Sequence, residues 1–151
     1  AIFFAIAYVI DHSGTTAAAG TWTAHRERNM VNVLATAAAH TFGAAYGLAA
    51  PYLGLLAGFI SGSETSAIAM LSRFHLETSH ALGKTAAVGL LIAAASGIGG
   101  GLASVVSPAK LQNAAAIIDR IGEEGRVLRT TTVISLLITL LTAVLTLIWV
   151  L

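Results

Sequence analysis

Hydrophobic positions in this chain run in long unbroken blocks rather than alternating, and short polar clusters separate the blocks. No Asp, Glu, Lys or Arg occurs from Met30 to Ser63, and Thr130 to Leu151 is a charge-free run of 22 residues. A helix needs about 20 apolar residues to cross a bilayer. The pattern predicts spans at about 1–20, 30–46 and 130–151. Two further apolar segments, about 51–72 and 85–118, are interrupted by polar residues and glycine. His25–Asn29, Arg73–Lys84 and Asp119–Arg129 read as aqueous segments.

The first interruption is Ser61-Gly62-Ser63-Glu64-Thr65-Ser66. Pro51 removes a backbone donor and is expected to kink a helix or to begin one. A helix starting there reaches Ile60 after about 15 Å, roughly half of a 30 Å hydrocarbon core. The second interruption begins at Ser96-Gly97-Ile98-Gly99-Gly100-Gly101. Each helical glycine costs up to about 1 kcal/mol relative to alanine, which predicts unwinding there. Gly43, Gly47, Gly54, Gly58 and Gly62 follow a small-residue spacing that lets helices approach closely in lipid.

Composition turns this pattern into a class. The chain is 56% hydrophobic and 10% charged, against about 25% charged in soluble domains. The expected fold is all-α, a polytopic transmembrane helical bundle with interrupted or re-entrant helices. A net charge of +1 without a basic run points away from nucleic acid. Cysteine is absent, which excludes disulfides and thiolate ligands. The chain enters an apolar run directly at Ala1 without a basic leader, so it reads as the C-terminal part of a longer protein.

Candidate chemistry centres on Glu64. A carboxylate within the bilayer costs roughly 2.5–3.5 kcal/mol, and a binding site is the usual reason for one. Two readings stand: a surface loop over 61–66, or an anion site where half-helix N-termini face the substrate. Asp11 and His12 either cap the first helix or lie within the membrane. Other patterns fail on spacing. His75 and His80 sit about 140° apart on a helix, unlike the His pair of H-E-x-x-H. Gly83-Lys84-Thr85 has Thr78 where a phosphate loop needs glycine, and Leu102 stands at the third glycine of a dinucleotide fingerprint.

Tyr8-Val9 with Ser13-Gly14, Ser61-Gly62-Ser63-Glu64-Thr65-Ser66, Gly99-Gly100 with Val106-Ser107-Pro108, and Gly122-x-Glu124-x-x-x-Leu128-Arg129-x-Thr131 together resemble the C-terminal portion of the bacterial L-lactate permease family. The [ST]-G-S-[DE]-T-S element is the specific one. The chain departs from the family at Ala109, where Ser-Pro is typically followed by Gln. It departs again at Ser104, where a basic residue is usual, and at Asp11, where an uncharged polar residue is common. The resemblance implies a multi-pass protein of the bacterial cytoplasmic (inner) membrane that imports L-lactate or glycolate with protons. This chain would be the C-terminal transmembrane portion, 1–151, of a larger permease.

On that basis Ser61, Gly62, Ser63, Thr65, Ser66 and Ser107 are the substrate-binding candidates, through hydroxyls and backbone N–H groups. Glu64 is the proton-coupling candidate, because a low-dielectric setting disfavours a charged carboxyl group. Its protonation would remove a charge that repels an anionic substrate. Asp11, Lys110 and Gln112 are secondary candidates, with Lys110 expected to snorkel to the interface. The implied partners are a small carboxylate, a proton, the bilayer and the N-terminal remainder of the permease, with no cofactor or metal. The rivals are a permease for another organic anion, a purely structural bundle, and an integral-membrane enzyme using His40, His75 or His80 with Glu77.

Overall fold

The structure, a computed structural model, describes residues 2–18 and 21–151. Seven α-helices carry the fold among these residues: α1 Ile2–Asp11, α2 Met30–Phe42, α3 Tyr46–Ser61, α4 Glu64–Ala81, α5 Ala86–Val105, α6 Pro108–Ile117 and α7 Glu124–Val150. Two four-residue antiparallel strands, Thr15–Ala18 and Thr21–Ala24, form a hairpin between α1 and α2. Among the described residues, three helical stretches are long and apolar enough to cross a membrane: Met30–Ser61, Ala86–Ile117 and Glu124–Val150.

Burial is inverted relative to a water-soluble bundle. On α7 the inward face is Ser135, Thr139, Ala143, Thr146 and Val150, while Leu137, Leu141, Ile148 and Trp149 point outward. The interior elsewhere is mostly alanine, around Tyr46 and Ile92. Lipid tails are as apolar as leucine, so helices gain most from small surfaces that pack closely.

The centre of the fold is a helical hairpin clasping a third helix. Along α3, Gly54 meets Ser96, Gly58 meets Gly100 and Gly62 meets Ser107, so α3 and α5 run parallel. Along α4, Ala67 meets Gly100, Ile68 meets Gly97 and Ser79 meets Gly89, so α4 runs antiparallel to α5. Hence α3 and α4 are antiparallel arms that turn back on each other at Gly62–Ser63.

Four sequence expectations change here. The helix does not continue over 1–20: it ends at Asp11, and the chain turns through Gly14 into the strand hairpin. Pro51 does not start a helix but sits within α3, which begins at Tyr46. The 16 residues of α3 extend about 24 Å, so the half-span distance counted from Pro51 does not set the depth of the hairpin tip. The glycines at 97–101 do not unwind α5, because neighbouring helices dock on them: a Cβ on Gly99 would collide with the Pro51 carbonyl of α3, Gly100 meets Gly58 of α3, and Gly97 and Gly101 lie against Ile68 and Glu64 of α4. The break falls instead at Val106–Ser107, just before Pro108.

Arg73–Ala81 is also not an aqueous segment but the second half of α4, with His75, Thr78 and Ser79 buried. Asn29, expected in a loop, is buried and caps α2 by accepting from the Val31 and Asn32 N–H groups. Its Nδ2 donates to the Asp11 and Ser13 carbonyls at 2.7 and 2.9 Å, which ties the end of α1 to α2.

Gly62 makes the turn possible. Its φ of +64° is a region that costs other residues about 1–2 kcal/mol, and a Cβ there would lie 2.9 Å from Ser107 Oγ. Gly62→Ala is therefore expected to destabilise the detergent-purified protein by about 1–2 kcal/mol. A thermal melt indistinguishable from wild type would show that the turn does not need this conformation.

Candidate functional site

The tip is built from its own hydroxyls. Ser61 Oγ donates to the Ser63 carbonyl at 3.0 Å, and the Ser63 N–H donates back to Ser61 Oγ at 3.2 Å. Ser63 caps α4, its hydroxyl accepting from the Ser66 N–H at 3.3 Å and its carbonyl from the Ala67 N–H at 3.0 Å. Two of the serines singled out as ligand hydroxyls thus shape the turn. The Glu64 and Thr65 N–H groups, on the first turn of α4, have no intrahelical acceptor by helix geometry. Glu64 and Thr65 are exposed and Ser66 is buried.

The second break meets this tip. Ser107 precedes α6, makes no side-chain cap hydrogen bond, and is 1% exposed. Its Oγ has no hydrogen-bond partner among the described residues, although it abuts Gly62. Buried hydroxyls are nearly always paired, so this atom stands out as an exception. Pro108 brings no N–H, while Ala109 and Lys110 offer theirs from the first turn of α6. The Glu64 carboxyl packs beside Gly101, where an added Cβ would lie 3.2 Å from its Cδ. Two helix N-termini, an unpaired hydroxyl and a carboxyl group are therefore gathered at one junction. Helix N-termini attract anions.

Other candidates lie elsewhere. Asp11 pairs with Arg73 on α4, and Arg73 Nε also lies 3.8 Å from Glu77 Oε1. Arg73 is nine residues beyond Glu64 on α4, about 13 Å along the helix, so Asp11 serves the α1–α4 contact. Lys110 and Gln112 are exposed on α6. A cavity of about 550 Å³ between α2, α3 and α4 is walled by Leu34, Leu53, Leu56, Ile60 and Phe74. Those walls suit hydrocarbon rather than a carboxylate.

Sequence reasoning missed a buried polar network at the base of the hairpin. Tyr46 Oη and His75 Nδ1 are 2.7 Å apart, and both residues are at most 1% exposed. Phe74 packs edge-on against the Tyr46 ring. The signal was present, since His75, Thr78 and Ser79 follow the i, i+3, i+4 spacing of one helical face. The local density of polar residues hid it. Among the described residues no group of three His, Asp or Glu side chains could hold a metal ion. His40 on α2 and His80 on α4 are exposed.

A helical bundle with a lipid-suited exterior and helices long and apolar enough to cross a membrane defines a multi-pass membrane protein. A family profile described as L-lactate permease matches residues 1–151, and the chain belongs to the L-lactate permease family. It is 33% identical over 115 residues to the L-lactate permease of Escherichia coli (strain K12), covering 76% of this chain. It is 32% identical over 115 residues to that of Salmonella typhi. The chain spans about a fifth of the length of these relatives, 20% in each case. No solved structure matches it.

Proposed function

We propose that these residues form the C-terminal transmembrane portion of a larger permease that takes up L-lactate, or a related small 2-hydroxycarboxylate such as glycolate, together with protons across the bacterial inner membrane. The observation that carries the reading is the junction of Gly62 and Ser107, where the N-termini of α4 and α6 converge on an unpaired hydroxyl. In this reading the substrate carboxylate accepts from the Glu64 and Thr65 N–H groups, and Ser107 Oγ pairs with a carboxylate or hydroxyl oxygen. Ser61, Gly62 and Ser63 hold the tip in shape, Thr65 and Ser66 line it, and Glu64 carries the coupled proton. Lys110 and Gln112 flank the α6 side without entering the site. The remaining N-terminal part of the permease completes the cavity around the substrate.

The test is uptake of labelled lactate by the full-length permease in proteoliposomes, comparing wild type with Ser107→Ala. Removing an unpaired buried hydroxyl costs the folded state little, whereas removing a ligand hydrogen bond costs about 1–1.5 kcal/mol, a rise of about tenfold in half-saturation. The expected result is a raised half-saturation constant with an unchanged or slightly higher melting temperature. An unaltered half-saturation constant would take Ser107 out of the site, and a wild type that transports another anion but not lactate would redirect the substrate assignment.

A further inference from the structure

Gly99, Gly100 and Gly101 follow one another on α5, but they meet different neighbours. An added Cβ on Gly99 would collide with the Pro51 carbonyl, and one on Gly100 would lie 3.1 Å from the Ala67 Cβ. At Gly101 the three nearest atoms all belong to one carboxyl group: Glu64 Cδ and Oε2 at 3.2 Å and Oε1 at 3.4 Å from where a Cβ would lie. A glycine inside a helix destabilises it relative to alanine. At position 101 the missing side chain leaves the space that this carboxyl group fills.

The direction that Glu64 takes is unexpected for its position. It is the first residue of α4, at the end where free N–H groups carry partial positive charge and attract carboxylates. Side chains on a helix also lean toward its N-terminus. Yet among the described residues the Glu64 carboxyl makes no hydrogen bond or ion pair, and it packs on α5 instead. Ser104, one turn further along α5, does not draw it there, because its hydroxyl donates to the Gly101 carbonyl at 3.0 Å. Within the tip, Ser63 takes the Ser66 and Ala67 N–H groups. The Glu64 and Thr65 N–H groups are thus left to another acceptor.

We propose that Gly101 is a positioning residue for substrate binding: by seating the Glu64 carboxyl on α5, it keeps this group off the N–H groups of its own helix and leaves them open to the substrate anion. The proposal rests on the reading of the Gly62–Ser107 junction as the carboxylate site. With the seat filled, the Glu64 carboxyl turns toward the α4 N-terminus and competes there with the substrate. A competitor tethered to the same helix acts at high effective concentration, so even a weak interaction raises the amount of substrate needed.

The experiment measures exchange of external for internal lactate by the full-length permease in proteoliposomes. Gly101→Leu should raise the half-saturation constant about three- to tenfold, the scale of a carboxylate's interaction with a helix N-terminus, with the maximal rate within about twofold of wild type. Glu64→Ala removes the competitor, so adding Gly101→Leu to it should change half-saturation by less than about 1.5-fold. A rise of the same size in both backgrounds makes the effect one of packing and overturns the proposal. So does an unchanged half-saturation constant in Gly101→Leu alone. Should Gly101→Leu fail to fold, Glu64→Asp decides. Its carboxyl is one methylene shorter and cannot reach Gly101, so half-saturation should rise by a similar factor, and a wild-type value overturns the seat. A wild type whose half-saturation does not respond to Ser107→Ala refutes the anion site itself. A response to Ser107→Ala with none to Gly101→Leu refutes the seat alone.

Discussion

Gly58→Leu is expected to disrupt the bundle, lowering stability by about 3 kcal/mol or more. A Cβ on Gly58 would collide with the Gly100 carbonyl oxygen and lie 2.7 Å from both the carbonyl carbon and Cα of Gly100. These are backbone atoms of a neighbouring helix, so no rotamer change relieves the overlap, and α3 would have to separate from α5. Gly54 faces Ser96 in the same way, so the two helices cannot simply slide past one another. The control is Gly125→Ala on α7, where nothing lies within 4 Å of the added atom. That change should be neutral or stabilising by up to about 1 kcal/mol. Thermal melts of the detergent-solubilised full-length protein check both, and a Gly58→Leu variant that melts like wild type would refute the α3–α5 contact.

Glu64→Gln is expected to abolish pH-gradient-driven lactate accumulation while leaving exchange of external for internal lactate largely intact. The glutamine keeps the size of the side chain beside Gly101 but cannot gain or lose a proton. Coupling requires a group whose charge changes in step with substrate binding, and a neutral amide also lacks the repulsion that an ionised carboxylate exerts on an anion. Exchange needs only binding and reorientation, so it separates loss of coupling from loss of the site. The expected drop in accumulation is at least about a hundredfold, the lower end of what a positioned proton-transfer group contributes. Gradient-driven accumulation equal to wild type would remove Glu64 as the proton carrier and leave the helix N-termini, Thr65, Ser66 and Ser107 as elements of the proposed site.

The legibility of the site differed from residue to residue. Ser61–Ser66 stood out because Glu64 ends a 34-residue run without charge, from Met30 to Ser63. Ser107 was found through its proline and its family context, yet its distinguishing property, a buried hydroxyl without a partner, exists only once Gly62 lies against it. Asp11 looked like a possible membrane carboxylate, but Arg73, 62 positions away, claims it. The buried histidine network lies in the densest polar stretch of the chain, which reads as solvent-exposed unless the helical spacing of His75, Thr78 and Ser79 is taken into account. Hydropathy averaged over a segment does not distinguish a polar helical face turned inward from a loop.

By itself, the sequence determined the class of protein: long apolar blocks, few charges and glycine-rich helices suit lipid, because the cost of burying charge and the length of a span are local properties. It also placed the two interruptions, one within a residue or two and the other as a longer stretch, 97–108, of which only the C-terminal end breaks the helix. Only the tertiary structure decided that 61–66 is the tip of a hairpin, that the glycines at 97–101 are a docking surface rather than a break, and that Ser107 comes to rest at Gly62. Those outcomes depend on pairings between different helices, those of α3 between residues about 40 or more positions apart, where a glycine that weakens its own helix becomes the point at which another backbone can touch it.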